Sequence, residues 1–434
     1  MENREKCPAK ILLVSVGGSP APIAYSIKEH KPAAVIFFVS KNSRKLVSEG
    51  IFKFLLDNEC SIPDHEFIVT PDEQDVGESV RVLLKQVPKA MLKLGYDTLL
   101  WPSIVDYTGG TKTMSAALVW ASSKFNTTIS YVGTLDESGR NKNGLGVVID
   151  GHEKCFIKEN PWNKIAYFEA QEAVILFNRA QYGAASSLIN SIIEKVDEDK
   201  TLKILKLMRD IFEGYYLWDI FDHRRARDML VQSYSKIEPF LETEHVFAPY
   251  LNSLHSKMKE NIDFLNSFSY GKLSWMMIWD LIGNAVRRAD IENKYEDATA
   301  RCYAAIEKIA KYELIKTYGI DTSNANSELI PDTLRNEYIK KFTTLIYTSE
   351  EKESCEKIQF GVVAAYKILI ALKNKYGIRF EECKNVRDHL IERNKSILGH
   401  GIDPIKEKKF TDLLSDALYI LDIEIDKLPK FPII

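Results

Sequence analysis

The sequence predicts an α/β domain with a mostly parallel sheet, followed by an all-α region. Three observations support this division. Up to about residue 160, short apolar or β-branched runs alternate with longer amphipathic stretches. After Pro161 glycine becomes sparse and the strand-like alternation ends. From there on, apolar residues recur every three or four positions, which is the spacing of an amphipathic helix.

The α/β domain is predicted to contain five strands, namely Ile11–Val16, Ala34–Val39, Phe67–Val69, Thr98–Trp101 and Thr128–Val132. The intervening helices are expected at Pro22–Glu29, Arg44–Asn58, Val76–Leu94 and Lys112–Phe125. Parallel neighbours need a crossover connection, and the connections here have the length of helices, so the order predicts a Rossmann-like sheet. Ligands of such sheets bind beyond the carboxyl ends of the strands, which directs attention to the loops after Val16, Val39 and Trp101.

The region after Pro161 shows helical periodicity in several places. Two examples are the sets Ala173, Leu176, Phe177, Ala180 and Ile204, Leu207, Met208, Ile211. The polar interval Gly319–Pro331 is rich in helix-breaking residues and predicts a loop between helices. We therefore expect three parts, residues 1–160, 161–290 and 291–434, of which the last two are helical.

The composition limits the classes of function. The chain has 434 residues and carries 58 basic and 61 acidic side chains, for a net charge of −3, so a basic protein that coats nucleic acid is disfavoured. Its longest apolar runs, such as Ala33–Val39, are far shorter than the roughly 20 residues that cross a bilayer. The polar start Met1–Lys10 does not resemble a signal peptide. We expect a cytoplasmic protein without membrane contact.

The six cysteines and eight histidines are dispersed along the chain. No CxxC pair, HExxH motif or HxH pair is present, and these are the spacings that zinc and redox sites use. We therefore predict that the protein needs no metal cofactor.

The first predicted strand ends in a loop of small residues, Ser15–Pro22 (SVGGSPAP). Its glycines and hydroxyls let a ligand approach the backbone, and a proline at the head of the next helix leaves N–H groups free, so a phosphate or nucleotide edge would fit. Alternatively, Gly17 and Gly18 only form a tight turn between strand and helix. The absence of GxGxxG argues against a nicotinamide or flavin site.

The loop after the fourth predicted strand, Asp106–Met114 (DYTGGTKTM), is more specific. It combines two glycines, three threonines and a lysine at the start of a helix. Exposed amides, the helix dipole and a positive charge together suit a phosphate group. A P-loop requires the spacing G-x-x-x-x-G-K-[ST], which this loop lacks, so an NTPase site is excluded.

The GGSP loop, together with Thr-Gly-Gly-Thr-Lys-x-Met at the start of a helix, resembles the CARF domain, the sensor of cyclic oligoadenylate in ancillary proteins of type III CRISPR systems. The resemblance implies a homodimer that holds the ring of adenylates across its two-fold axis. The candidate ligand-binding residues are Gly17, Gly18, Ser19 and Pro20 for one wall, Thr108, Gly109, Gly110, Thr111 and Lys112 for the floor, and Ser40, Asn42 and Ser43 for a third loop. Some CARF domains also cleave the ring slowly, and Thr111 or Lys112 is the candidate to assist that reaction.

A second candidate site is Arg393–Gly401 (RNKSILGHG), near the C-terminus. Two glycines flank His400 and free its imidazole from a packed helix face. The seven-residue separation from Arg393 returns to nearly the same face of a helix. A fixed cation beside an imidazole with an ordinary pKa of about 6.5 suits metal-free RNA cleavage. The alternative is a helix C-cap with an incidental histidine.

The spacing of this second site matches the R-x4-6-H signature of HEPN ribonucleases, which are all-helical domains that cleave RNA without metal. Tyr295–Leu314, which contains Tyr303 and Glu307 one turn apart, also resembles a helix of that group. The two resemblances imply a CARF-HEPN ribonuclease with a CARF-like domain at 1–160, a helical connecting region at 161–290 and an HEPN-like domain at 291–434.

The HEPN resemblance also implies roles for the site residues. Arg393 and His400 form the catalytic pair, Asn394 orients them, and each of two protomers contributes one set to a composite site. Attack by the ribose 2′-hydroxyl of a single-stranded RNA yields a cyclic phosphate. The activator is cyclic oligoadenylate, and the setting is antiviral defence.

Two other functions remain open from the sequence. One is a ligand-sensing scaffold or regulator whose helical part binds a partner, although no helix-turn-helix with a basic recognition helix stands out. The other is a ring nuclease that acts only at the CARF-like loops. A ribonuclease predicts that His400→Ala abolishes RNA cleavage and leaves ligand binding intact.

Overall fold

The structure, a computed structural model of the chain, describes residues 10–97, 101–123, 125, 127–134, 148–149, 152–157, 162–347, 354–398 and 401–434. Of residues 345–347 and 354–356 it describes the backbone alone. The chain forms two compact units. The first comprises Met1–Glu169 and Asn190–Leu205, and the second comprises Ala170–Ile189 and Lys206–Ile434.

The first unit contains a sheet with helices on both faces. Its elements are β1 (Ile11–Ser15), α1 (Pro20–His30), β2 (Ala34–Val39), α2 (Arg44–Leu46), a π-helical turn (Val47–Phe52), α3 (Lys53–Asp57), β3 (Asp64–Val69), α4 (Val76–Lys93), β4 (Ile104–Asp106), α5 (Lys112–Ser122), β5 (Thr128–Gly133) and β6 (Lys154–Ile157). The strand order is β3-β2-β1-β4-β5-β6. The first five strands are parallel and β6 pairs with β5 in the antiparallel direction.

Successive residues of β1 face opposite sides of this sheet, and both sides are buried. Leu13 belongs to the core that includes Leu83 of α4 and Leu118 of α5. Leu12 belongs to the core on the other side, which includes Ile23 of α1. A strand buried on both faces is apolar without interruption, which explains why β1 and β2 are continuous apolar runs.

The predicted fold class, an α/β domain followed by a helical region, is confirmed, and the main correction within the sheet concerns its fourth strand. The fourth strand is Ile104–Asp106, which pairs with β1 on the side opposite β2, with Leu12 opposite Ile104 and Val14 opposite Asp106. Of the predicted strand Thr98–Trp101, residues 98–100 lie outside the described residues. Trp101 is not part of a strand and stacks on Phe125 with ring centroids 4.1 Å apart, so packing of its aromatic ring, not strand pairing, accounts for its apolar character.

The remainder of the described chain is helical apart from one hairpin. The helices are α6 (Trp162–Asn178), α7 (Tyr182–Ile193), α8 (Asp199–Asp219), α9 (His223–Ile237), α10 (Ala248–Asn266), α11 (Trp275–Asp290), α12 (Tyr295–Tyr318), α13 (Asp332–Phe342), α14 (Val362–Ala371), α15 (Lys375–Glu382), α16 (Val386–Asn394) and α17 (Glu407–Leu421). Strands β7 (Thr343–Tyr347) and β8 (Ser354–Ile358) form the hairpin, which the helical periodicity of this region did not predict.

The periodic residues of the sequence occupy the expected positions. Ile204, Met208 and Ile211 of α8 are fully buried. The predicted loop at Gly319–Pro331 separates α12 from α13 and contains a short 3₁₀ turn and an isolated bridge from Ala325 to Ile358. Helix α12 contributes seven buried residues to the hydrophobic core of the second unit, where it packs with α11, α14 and α17, so its register positions the side chains of the C-terminal site.

Candidate functional site

The loops after β1 and β4 lie side by side because these two strands are neighbours in the sheet. This is the point where the strand order reverses, and open α/β sheets bind ligands in the crevice there. A Cβ added to Gly17 would stand 2.5 Å from the amide nitrogen of Gly110, and one added to Gly109 would stand 2.4 Å from the carbonyl oxygen of Ser15. Gly110 has φ +85°, in the left-handed region that favours glycine. Close backbone packing therefore requires glycine at positions 17 and 109, and the backbone conformation favours glycine at position 110.

The threonines of the second loop serve the loop itself. The Thr111 hydroxyl accepts a hydrogen bond from the Met114 amide at 3.1 Å, which caps α5, and donates to the Glu73 carbonyl at 2.7 Å. The Thr108 hydroxyl accepts from the Val132 amide at 2.7 Å. Both hydroxyls thus hold the loop against its neighbours, whereas the adjacent Lys112 side chain is exposed.

A buried carboxylate anchors this arrangement from below. Asp106, at the end of β4, is fully buried and accepts three hydrogen bonds, from the Thr108 amide at 2.8 Å, the Ser26 hydroxyl at 2.6 Å and the Ser130 hydroxyl at 3.0 Å. Charge-assisted hydrogen bonds of this kind satisfy a buried carboxylate. The Asp106 network therefore ties the loop to α1 and β5 and fixes its shape before any ligand binds.

The third predicted loop follows β2. The Ser40 amide donates to the Ser43 hydroxyl at 2.9 Å and the Ser43 amide donates to the Ser40 hydroxyl at 3.2 Å, so the two buried serines close a turn on each other. Asn42 between them is exposed. On the first loop, Gly18 is exposed and a Cβ there would meet nothing within 4 Å. Gly18, Asn42 and Lys112 are thus the predicted ligand residues most open to solvent.

Pro20 and Ser19 begin α1. Ser19 is the N-cap residue, but its side chain makes no capping hydrogen bond. Because Pro20 has no N–H group and no acidic residue lies in the first turn, this end of the helix keeps its positive dipole uncompensated. Gly50 of the π-helical turn packs against the Pro20 ring, since a Cβ there would lie 2.8 Å from it. This contact links the start of α1 to the π-helical turn that follows the third loop.

The second predicted site begins at the end of α16. The Arg393 guanidinium lies over the ring of Tyr303 on α12, 4.5 Å from the ring centroid, and its Nη1 donates to the Asn394 Oδ1 at 3.2 Å. Burial raises the pKa of Tyr303, the nearby Glu307 adds to this rise, and Arg393 opposes it. The structure therefore brings Arg393 and Asn394 together with Tyr303 of the other predicted helix.

The chain folds back immediately after α16. The Ser396 hydroxyl donates to the Arg393 carbonyl at 2.8 Å, and the Gly401 amide donates to the Ser396 carbonyl at 3.0 Å. A Cβ on Gly401 would lie 1.6 Å from the Lys395 carbonyl oxygen, so only glycine is tolerated there. His400, the predicted catalytic histidine, lies outside the described residues.

Two residues of α12 that the sequence did not single out lie along this same segment. The Glu296 Oε1 accepts a hydrogen bond from the Ile405 amide at 2.5 Å. Its Oε2, the Thr299 hydroxyl and the Arg393 Nε are buried and make no hydrogen bond with any residue that the structure describes. Since Glu296, Thr299 and Tyr303 recur at spacings of three and four, they share one face of α12. The spacing was visible in the sequence, but the polar character of Glu296 and Thr299 gave no indication that their side chains have buried oxygen atoms.

The described part of the chain has neither a cluster of metal-ligating side chains nor a membrane-spanning helix. No group of three or more His, Cys, Asp and Glu side chains there is arranged to hold a metal ion. No helix there has the length and apolar character required to span a membrane.

The chain is similar to known proteins in sequence and in fold. Residues 165–265 match the family model of the Csm6 6H domain, and residues 270–421, which include Arg393 and His400, match that of the Csm6 HEPN domain. No curated protein matches this chain.

Among solved structures, Csm6 from Enterococcus italicus bound to cyclic hexa-2′-fluoro-hexa-dAMP is 14% identical in sequence, covers 95% of this chain and 94% of its own, and has a TM-score of 0.53. Can2 from Sulfobacillus thermosulfidooxidans in complex with cyclic tetra-adenylate is 12% identical, covers 54% of this chain and 69% of its own, and has a TM-score of 0.23, which is too low to support an argument.

The first of these structures shares its fold with nearly the whole chain, and the two family models together match more than half of the 434 residues. The chain therefore belongs to the Csm6 family of CARF-HEPN ancillary ribonucleases of type III CRISPR systems.

Proposed function

We propose that this chain is an endoribonuclease of CRISPR antiviral defence that cleaves single-stranded RNA without a metal ion after cyclic oligoadenylate binds. The observation that carries the proposal is that the R-x4-6-H motif at Arg393–His400 lies within the match to the Csm6 HEPN domain. The 1–160 region is the CARF-like sensor, 161–290 connects, and 291–434 is the HEPN-like nuclease. We keep the expectation that the protein is cytoplasmic.

The proposed reaction is an internal transfer at phosphorus. His400 accepts the proton of the ribose 2′-hydroxyl, the 2′-oxygen attacks the adjacent phosphorus, and the bond from phosphorus to the 5′-oxygen breaks. The leaving 5′-oxygen takes a proton from the second histidine of a composite site. The products are a 2′,3′-cyclic phosphate and a 5′-hydroxyl. Arg393 stabilises the negative charge that builds on the phosphorane oxygens.

Asn394 has an orienting role in this scheme. Its Oδ1 accepts from the Arg393 Nη1 at 3.2 Å, while Tyr303 supports the guanidinium from one face at 4.5 Å. A guanidinium held on two sides keeps its remaining N–H groups in a fixed direction, which suits stabilisation of a transition state.

A homodimer would complete this site. The buried Nε of Arg393 makes no hydrogen bond within the described part of the chain. A buried N–H group without a partner costs about 1–3 kcal/mol, so we expect the Arg393 side chain to reorient and make this hydrogen bond when a second copy of the chain or the RNA binds. We therefore propose that each of two protomers contributes Arg393, Asn394 and His400 to one cleft.

The activator is proposed to bind at the carboxyl edge of the sheet. Gly18, Ser19, Asn42 and Lys112 supply the groups that touch the ring, because their side chains or backbone are at least partly open to solvent. The remaining predicted residues shape the pocket through the contacts described above, and these are Gly17, Pro20, Ser40, Ser43, Thr108, Gly109, Gly110 and Thr111. The ring bound to the Enterococcus italicus protein supports a cyclic oligoadenylate as ligand.

Cleavage of a quenched fluorescent RNA in the presence of cyclic tetra-adenylate or cyclic hexa-adenylate tests the proposal. One ring is expected to raise the rate, and His400→Ala should lower the activated rate by about two to four orders of magnitude while ring binding stays unchanged. If the variant cuts as fast as the wild type, the site assignment is wrong. If no ring raises the rate, the chain is a scaffold or regulator; if the ring is consumed and RNA stays intact, it is a ring nuclease.

A further inference from the structure

A cleft within the helical unit is lined by none of the residues assigned above. Its volume is about 710 Å³. It is bounded by the turn before α9, the connection between α10 and α11, and one face of α12. The residues that give it chemical character are Arg224, Lys272, Lys308 and Lys311 with the aromatic side chains Phe268 and Tyr270.

Within the part of the chain that the structure describes, the four cations of this cleft are not neutralised by ion pairs. Within the described part of the chain, none of Arg224, Lys272, Lys308 and Lys311 has a carboxylate oxygen within 4.0 Å. Asp222 is the acidic residue of the cleft lining, and it pairs with Arg225 at 3.3 Å. Unpaired cations around a concave surface concentrate positive potential, so the cleft is suited to an anion.

Aromatic and guanidinium groups lie beside these cations. The ring of Tyr270 has the Arg227 guanidinium at 5.2 Å and the Arg224 guanidinium at 5.5 Å from its centroid. The Tyr270 hydroxyl is held by donating to the Leu265 carbonyl at 2.8 Å. Flat side chains next to unpaired cations are the combination that single-stranded nucleic acids bind, through base stacking and contacts to phosphates.

A ring contact and two hydrogen bonds hold the floor of the cleft in place. His223 stacks on Phe268 with centroids 4.2 Å apart, and its Nε2 lies 2.8 Å from the Oδ2 of the fully buried Asp280. The other oxygen of Asp280 accepts from the Trp218 indole at 3.0 Å. These contacts preform the cleft, which lowers the entropic cost of binding.

We propose that this cleft binds the flank of the single-stranded RNA substrate outside the cleavage site, an inference that rests on the proposed function. Helix α12 connects the two places, because it carries Tyr303 beneath Arg393 and also Lys308 and Lys311. Five to eight residues of helix correspond to about 8–12 Å along the axis. A strand that follows α12 from the cut site would reach the cleft after a few nucleotides.

RNA binding to a full-length protein that cannot cut is the direct test. In the His400→Ala background, we would measure the dissociation constant of a fluorescein-labelled RNA of about 20 nucleotides by anisotropy over a series of salt concentrations. The double change Lys308→Ala and Lys311→Ala should raise the dissociation constant about tenfold. It should also reduce the slope of log affinity against log salt by about 1.4, since each lost phosphate contact on a single strand removes about 0.7.

A matched double variant removes the same charge elsewhere. Lys259→Ala with Lys316→Ala changes two exposed lysines of α10 and α12 that do not line the cleft and make no ion pair within the described residues. Its salt slope and affinity should equal those of the background. A thermal unfolding curve checks that both double variants are folded.

The results separate this inference from the proposed function. An unchanged dissociation constant and salt slope in the Lys308/Lys311 variant would overturn the inference, and so would loss of ring binding with unchanged RNA affinity, because the cleft would then serve the activator. The proposed function fails in a different experiment. It is wrong if the wild-type protein leaves the RNA uncut in the presence of cyclic tetra-adenylate and of cyclic hexa-adenylate.

Discussion

The loops of the α/β unit and the segment after α16 are both rich in glycine and polar groups, but they satisfy their polar atoms differently. In the first, the hydroxyls of Thr108 and Thr111 and the carboxylate of Asp106 are all hydrogen-bonded within the unit. In the second, the Arg393 Nε and the Glu296 Oε2 are buried without a hydrogen bond in the described part of the chain. The polar groups named in the first region are satisfied within the unit, whereas two buried polar atoms of the second region have no hydrogen-bond partner among the described residues.

The two proposed functions, ligand sensing and RNA cleavage, give a physical reason for this difference. A sensor gains affinity when its loops are fixed before the ligand arrives, because no ordering cost remains at binding. A nuclease that is switched on by a distant ligand gains control when its catalytic groups are incomplete in the resting state. The free energy available for switching is the difference in affinity of the ring for the two arrangements.

The largest expected effect that tests the distinction between the two regions is on catalysis. Arg393→Ala should lower kcat by about 10²–10³-fold, because a group that stabilises transition-state charge is removed. Its free energy of unfolding should fall by no more than about 1 kcal/mol, since the lost contact with Tyr303 is worth about that much and a buried unpaired N–H group disappears with it. Single-turnover cleavage and urea unfolding give the two quantities.

Arg393→Lys is the control for this experiment. It keeps the charge but lacks the planar fork, so it should recover only part of the rate. A loss of unfolding free energy above about 3 kcal/mol in Arg393→Ala would contradict the distinction between the two regions. Arg393 would then be a structural residue of a completed site.

The next effect is on stability and concerns the first region. Gly109→Ala places a methyl group 2.4 Å from the Ser15 carbonyl oxygen and should lower the free energy of unfolding by about 1–3 kcal/mol. Gly18→Ala adds the same methyl group where nothing lies within 4 Å and should change it by less than about 0.5 kcal/mol. Chemical denaturation measures both. Equal values for the two variants would show that the loops are not packed as described.

The sequence predicted the α/β part well because buried parallel strands are continuous apolar runs. β2 has the predicted bounds, Ala34–Val39, and β1 differs by one residue. The fourth strand was misplaced because the run containing Trp101 is more apolar than the three residues Ile104–Asp106 that pair. β6 was missed because it is a four-residue edge strand without alternation.

For the site, sequence reasoning could name residues but not their partners. The glycines of the two loops were identified as places where a ligand approaches, yet Gly17 and Gly109 are needed for contact between the loops themselves. Glu296 and Thr299 could not be selected, because their polar character suggests a solvent-facing helix and only tertiary packing buries them. The roles of Arg393, Asn394 and His400 stay predictions.

A smaller effect would sharpen the description of the second region. Tyr303→Leu removes the ring beneath the Arg393 guanidinium and should lower kcat by about two- to fivefold, since a cation–π contact at a partly exposed position is worth about 0.5–1 kcal/mol. Tyr303→Phe keeps the ring and should cut at nearly the wild-type rate. If Tyr303→Phe lost as much activity as Tyr303→Leu, the hydroxyl would be the important group and the ring contact would not explain the effect.

The smallest expected effect is on the pH dependence of stability, and it is seen only below neutral pH. It tests whether the hydrogen-bonded network beneath the loops of the first region is self-contained. His30 is buried with its Nε2 2.8 Å from the Ser130 hydroxyl, and Ser130 in turn donates to Asp106. Burial lowers the pKa of His30 and Lys10 lowers it further, while Asp106 and Glu29 oppose the shift. The folded chain therefore binds a proton less readily than the unfolded chain, whose histidine has its ordinary pKa of about 6.5. Stability is complete above that pH and should fall as the pH drops below it.

His30→Gln cannot titrate but can still contact Ser130, so its urea midpoint should decline less between pH 7 and pH 5, at roughly those values. If the urea midpoints of the wild type and His30→Gln declined equally, the network beneath the loops would not exclude a proton. The polar groups of the first region would then be no better shielded from solvent than those of the second.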